Sequence, residues 1–266
     1  TRKIIYNIYR TMSPLVCIKS ININPVSMRN KNNLEKLMGK LSNNMLKVKL
    51  EAYDNVDVDV ICSAVGLLHH HELKGVSIKG AQWKSPQNLT CQDVNINLGV
   101  CKLDEDKLRD DSYIALKYEA SGHAYVSMSF DDFNNFLKHP LMEKSMGEWE
   151  DTIKLSKCSY DESRESLVID VYHDNGVVCY KRKFTLSNTL RLGEVRAEYI
   201  PEDGGIDKDD VSIRRLKTMI QNYFNTLIVN LDGTHLQYKH MDVNENGIYL
   251  QLYVTVNKLP IDRFNF

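Results

Sequence analysis

At 266 residues, 42% hydrophobic and 26% charged, the chain is long enough to bury a sizeable core in one large domain or two small ones. Thirteen glycines and six prolines exclude a collagen-like or wholly disordered chain, and no apolar run approaches the roughly 18 residues a spanning helix needs. A net charge of −1 excludes a globally basic nucleic-acid binder, so no nucleic-acid partner is expected.

That balance is uneven along the chain. Residues 1–34 carry Arg2, Lys3, Arg10, Lys19, Arg29 and Lys31 and no acid, so this arm is +6 and the remainder −7. Acid-poor basic arms meet anionic lipid or an acidic partner, or are remnants of organellar targeting segments. Arg2, Lys3, Arg10 and Lys19, interleaved with Ile4, Ile5, Tyr6, Ile8 and Tyr9, are the expected contacts to an anionic membrane surface or a protein partner. Six cysteines stand at wide, irregular spacings without a CxxC, which fits neither a zinc site nor a thioredoxin-type centre.

The first element is an amphipathic helix: Leu34, Leu37, Met38, Leu41 and Met45 recur at helical spacing. Period two takes over at Val48 and runs through Leu50, Ala52, Val56, Val58 and Val60, the sign of a half-buried strand. A short apolar segment, Ala64 to Leu68, ends in three histidines. Strands follow around Val76 and Ile78 and from Val94 to Val100. Residues 113–128 read as a strand pair turned at Ser121-Gly122. Ser129 caps a helix presenting Phe130, Phe133, Phe136 and Leu137, closed by Pro140.

Strands are then expected at 151–158, 166–173, 177–186 and 190–199. A second long helix carries Ile213, Leu216, Ile220, Phe224 and Leu227. Two last strands meet at Asn246-Gly247, a strong hairpin signal. In the second, Ile248, Leu250, Leu252, Val254 and Val256 face inward and Tyr249, Gln251, Tyr253, Thr255 and Asn257 outward. Strand runs without crossover helices argue for an antiparallel sheet, hence α+β. The expected fold is one elongated domain in which a long, coiled antiparallel sheet wraps two long amphipathic helices.

Catalytic patterns are missing. His69-His70-His71 cannot converge on one ion, because successive residues point to different faces of a helix or strand. No nucleophile elbow, zincin, P-loop or dinucleotide fingerprint occurs. Asp57/Asp59 and Asp104/Glu105/Asp106 fall on solvent faces or turns, away from the burial that paired carboxylates need for acid–base work. The chain is therefore expected to be non-enzymatic, with neither cofactor nor metal.

A resemblance gives this architecture a direction. The strand Val56-Asp57-Val58-Asp59-Val60, the block from Gly66-Leu67-Leu68 to Gly80, and Val94 to Val100 precede the stretch Gly122-His123-Ala124-Tyr125-Val126-Ser127-Met128-Ser129-Phe130-Asp131-Asp132-Phe133-Asn134-Asn135-Phe136-Leu137. That stretch resembles a motif of the LmeA-like phospholipid-binding family, and the closing Phe224 to Pro260 segment is similar to the family's last helix and hairpin. The resemblance spans roughly residues 33–260. It implies a single tubular lipid-binding-like domain, an apolar groove for acyl chains and no catalytic residues.

On this reading residues 1–32 are a basic arm and 33–260 one domain of two similar halves, about 33–141 and 150–260, with a tail at 261–266. Acyl chains would be held by Leu34, Leu37, Leu41, Val58, Val60, Leu67, Leu68, Val76, Ile78, Ile220, Phe224, Leu250, Leu252 and Val254. The expected partners are a phospholipid or other membrane lipid and an anionic membrane surface. The expected residence is an organelle, the plastid, with peripheral attachment at the thylakoid membrane. The alternative is an accessory or assembly subunit docked on a membrane protein complex with no bound ligand.

Overall fold

A computed structural model describes residues 31–104, 113–140, 142, 153–174, 179–188, 193–201, 211–231 and 233–260. Arg2, Lys3, Arg10 and Lys19 lie outside them. Helix α1 (Lys31–Lys49) leads into β1 (Asn55–Cys62), short α2 (Ala64–His69), β2 (Glu72–Lys84), β3 (Thr90–Leu98), β4 (Cys101–Lys102) and β5 (Tyr113–Met128). After α3 (Phe130–Leu137) come β6 (Ile153–Asp161), β7 (Ser166–Asp174), β8 (Cys179–Asn188) and β9 (Val195–Ile200). Helix α4 (Val211–Asn225) precedes β10 (Ile228–Leu231), β11 (Thr234–Asn244) and β12 (Gly247–Pro260).

The strands form two antiparallel sheets. The larger has the order β1-β2-β3-β5-β12-β11-β10, with β4 paired to β2; the smaller is the meander β6-β7-β8-β9. Strands from both sides of residue 150 therefore meet in the large sheet.

This overturns the expected sheet wrapped around two long helices. The described residues are 59% strand and 23% helix, in four helices, so the fold is mostly β. The reason is coverage. Seven strands at about 4.8 Å span roughly 30 Å, and a helix about 10 Å across covers some two of them. Helix α1 lies along β1, where the Cys62 amide donates to Glu35 Oε1 at 3.3 Å and a Cβ on Gly39 would stand 2.6 Å from Val58 O. Helix α4 lies instead against the small sheet, turning Leu216, Ile220, Tyr223 and Phe224 inward.

Two local readings also change. The period-two pattern from Val48 is not yet strand: α1 runs on to Lys49 and Val48 is 83% exposed. No turn occurs at Ser121-Gly122, because β5 continues for 16 residues. A Cβ on Gly122 would collide with the Asn97 carbonyl of β3, so glycine there permits close strand approach. The irregularity falls earlier, where residues 116–119 bulge between the pairs Ala115–Lys258 and Ala120–Val256.

The small sheet has two edges, β6 and β9, and each is held by an asparagine from a helix. Cys158 N donates to Asn134 Oδ1 at 2.6 Å and Asn134 Nδ2 donates back to Cys158 O at 3.3 Å. Val195 N donates to Asn225 Oδ1 at 2.7 Å and Asn225 Nδ2 donates to Val195 O at 3.1 Å. At that one residue on each edge the backbone N–H and C=O are occupied and closed to another strand. Between sheet and helices lies a closed core that includes Phe133, Leu167, Ile169, Val171, Phe184, Leu186, Leu216 and Phe224, each at most 2% exposed.

A second core gathers Val56, Val58, Val60 and Cys62 of β1 with Leu67, Leu73, Leu98, Leu116, Val254 and Val256. β1 alternates strictly, its valines inward and Asp57 and Asp59 in solvent.

Candidate functional site

Between these two cores the inner face of the large sheet is left partly uncovered, and a cavity of about 340 Å3 opens there. Its floor is the inward set of alternate residues: Ile78 of β2, Val94, Ile96 and Leu98 of β3, Val126 of β5, Leu250, Leu252 and Val254 of β12, and Leu236 of β11. Its roof is Leu46 and Leu50 at the end of α1, Phe133 and Phe136 of α3, and Phe224 and Leu227 around the end of α4. Helix α3 reaches this position because Ser129 closes a capping box. Its hydroxyl accepts from Asp132 N at 3.1 Å, and Asp132 Oδ2 accepts from Ser129 N at 3.0 Å.

Two lining residues owe their direction to a break in phase. Alternation from Val76 through Ile78 would send Trp83 outward. Gln82, however, has φ of 53° and drops out of the ladder, while the β2–β3 register itself stays continuous from Ala81–Asp93 to Trp83–Cys91. Beyond this left-handed residue Trp83 and its partner Cys91 lie on the cavity side. The indole then occupies the space a side chain at Gly80 would need, and its Nε1 donates to Asn55 O at 2.8 Å.

The polar atoms of the lining are largely committed to the protein. Ser85 Oγ accepts from Leu89 N, Thr90 Oγ1 donates to Asp132, and the Tyr238 hydroxyl lies 3.0 Å from Gly193 O and 3.2 Å from Asn188 Oδ1. Burial dominates the titration of the two weak acids present: it pushes the Cys91 thiol up to about 11 and raises the Tyr238 phenol as well. Burial also pushes the nearby Asp132 carboxyl up, but hydrogen bonds from Thr90 and Ser129 outweigh it and hold the group below the usual carboxylate range. At neutral pH the thiol is protonated, a poor nucleophile. The cavity offers carbon surface.

Of the residues expected to hold acyl chains, Ile78, Phe224, Leu250, Leu252 and Val254 line this cavity. Val58, Val60 and Leu67 are packed in the β1 core, with Val76 against it, and Ile220 is sealed in the small-sheet core. The side chains of Leu34, Leu37, Leu41 and Leu68 lie outside the described set. The residues missed on β3 and β5 (Val94, Ile96, Leu98 and Val126) follow the same period-two rule that marked β12. Trp83 and Cys91 carried no such signal, since a phase shift at Gln82 is invisible in the residue pattern.

Elsewhere, Asp57 and Asp59 stand exposed on β1. Among the described residues, no group of three His, Cys, Asp or Glu side chains is placed to hold a metal ion, and no helix is long and apolar enough to cross a membrane. No protein-family model matches the chain, and neither a curated protein nor a solved structure matches it.

Proposed function

We propose that the protein is a non-enzymatic binder of an acyl chain, held in the cavity on the inner face of the large sheet. The observation that carries this reading is the composition of that cavity. Six strands and three helices contribute lining side chains that are nearly all hydrocarbon, and Ser85, Thr90 and Tyr238 spend their hydroxyls on protein partners. At about 340 Å3 it falls at the lower end of the roughly 300–1,000 Å3 of small-ligand sites, which suits one chain better than the two of a whole phospholipid. Burial of a chain at about 25 cal/mol per Å2 supplies affinity without any charged contact. The resemblance of the 122–137 stretch to the LmeA-like phospholipid-binding family supports the same reading, as does the basic arm for peripheral attachment to an anionic membrane such as the thylakoid.

Native mass spectrometry of gently purified protein is the test. An adduct of acyl-lipid mass, displaced by added palmitate and absent from Leu252→Trp, is the expected result. Ligand-free protein that also fails to bind palmitate overturns the proposal. The arm is tested separately by flotation with anionic liposomes. Four basic residues at about 1 kcal/mol each give salt-sensitive binding, lost between about 0.1 and 0.5 M salt.

A further inference from the structure

The opposite face of the same strands carries a different chemistry. Register alignment across β2, β3, β5, β12 and β11 produces two adjacent outward rows. One is Lys79, Asn95, Tyr125, Gln251 and His240; the next is Ala81, Asp93, Ser127, Tyr249 and Asp242. Between them runs a groove of about 470 Å3 that Tyr125, Tyr249, Asn95, Gln251, Asp93 and Asp242 help to line. Tyr125 and Tyr249 are 47% and 38% exposed and sit as diagonal neighbours on paired strands, about 7–8 Å apart at the backbone.

We propose that this groove is a second binding site, for a neutral oligosaccharide. Sugar rings present a C–H face and a rim of hydroxyls, and the groove matches both. Tyr125 and Tyr249 supply ring faces for stacking, while Asn95 and Gln251 supply amides that donate and accept. Asp93 accepts from Ser127 Oγ at 3.1 Å and Asp242 pairs with His240 Nε2 at 2.8 Å. Each carboxylate retains an oxygen able to accept from sugar hydroxyls, the stronger charge-assisted kind of hydrogen bond.

The other occupants fit less well. A phosphate or nucleic acid needs clustered cations, and here Lys79 stands against Asp93 and Asp242. A peptide adding as a strand needs a free edge, and β3, β5 and β12 are paired on both sides. An acyl chain needs continuous apolar surface, which two tyrosines set among amides and carboxylates do not provide. The site is independent of the inner cavity, from which it is separated by the thickness of the sheet.

Titration calorimetry with maltohexaose, cellohexaose, mannohexaose, xylohexaose and, as the anionic arm, heparin hexasaccharide tests this. At least one of the neutral sugars binds, and Tyr125→Ala and Tyr249→Ala each weaken it about tenfold or more. Tyr249→Phe retains the ring and the binding, and Leu252→Trp in the inner cavity leaves the sugar affinity unchanged. The proposal is overturned if none of the four neutral sugars binds at about 10 mM, if the heparin hexasaccharide alone binds, or if both alanine variants bind as the parent does.

Discussion

The two sheets obey one alternation rule and reach opposite ends. On the small sheet the inward residues are sealed, with α3 against β6, α4 against β9 and β11 of the large sheet against β7 and β8: Phe184, Leu167, Ile169 and Val171 are fully buried, and each edge is clasped at one point by Asn134 or Asn225. On the large sheet equally apolar positions, Ile96 and Leu252 among them, remain only partly covered because α1 ends before it reaches β12. A filled core and an open cavity thus come from similar strands. The difference is set by what lies over each strand, helices and β11 over the small sheet and too little helix over the middle of the large one.

The hardest blow to this contrast is a matched pair of truncations. Phe184→Ala empties a closed core and is expected to cost about 3–5 kcal/mol in urea denaturation. Leu252→Ala enlarges a space that already exists and should cost about 2 kcal/mol or less. Equal losses would show that the cavity is packed as tightly as the core. Next in size is the edge clamp. Asn225→Ala removes both bonds to Val195 and is expected to cost about 1–3 kcal/mol, with faster amide exchange confined to β9.

The capping box of α3 ranks third. Ser129→Ala should cost about 1 kcal/mol. Because the Asp132 carboxyl is held below its ordinary value near 3.8, its stabilising contribution is complete above that pH and lost as pH falls through the lower folded value. Asp132→Asn should flatten that acid limb. The smallest effect concerns Cys91, whose thiol stays protonated through pH 9. In a variant with the other cysteines replaced by serine or alanine, iodoacetamide should label it slowly at pH 8, and more slowly still with palmitate bound.

Much of this was legible in the residues. β1 and β12 announced themselves by strict alternation, α3 by its Ser129 cap and phenylalanine spacing, and the last hairpin by Asn246-Gly247. Two things were not. Glycine at 122 reads as a turn when viewed alone, and only the neighbouring carbonyl of Asn97 explains it. The partition into two sheets is decided by non-local pairing, which local patterns do not encode. The cavity was half visible: the alternation rule found its β12 wall but could not say which apolar positions lack a helix above them. A pattern marks an inward face, and coverage decides whether that face becomes core or site.

The pairing of β5 with β12 also sets an order of events. Met128 faces Ile248, 120 positions later in the chain, with the whole small sheet strung between them. Closing so long a loop costs about 2 kcal/mol more than closing a ten-residue hairpin, whereas β6 to β9 assemble by successive local turns. During synthesis the 16-residue β5 therefore stands as a bare edge with an apolar face until β12 emerges. The strand that completes the sheet is the last of the described strands to be made, and until it emerges the nascent chain is exposed to mispairing through the seam that later becomes the middle of its largest sheet.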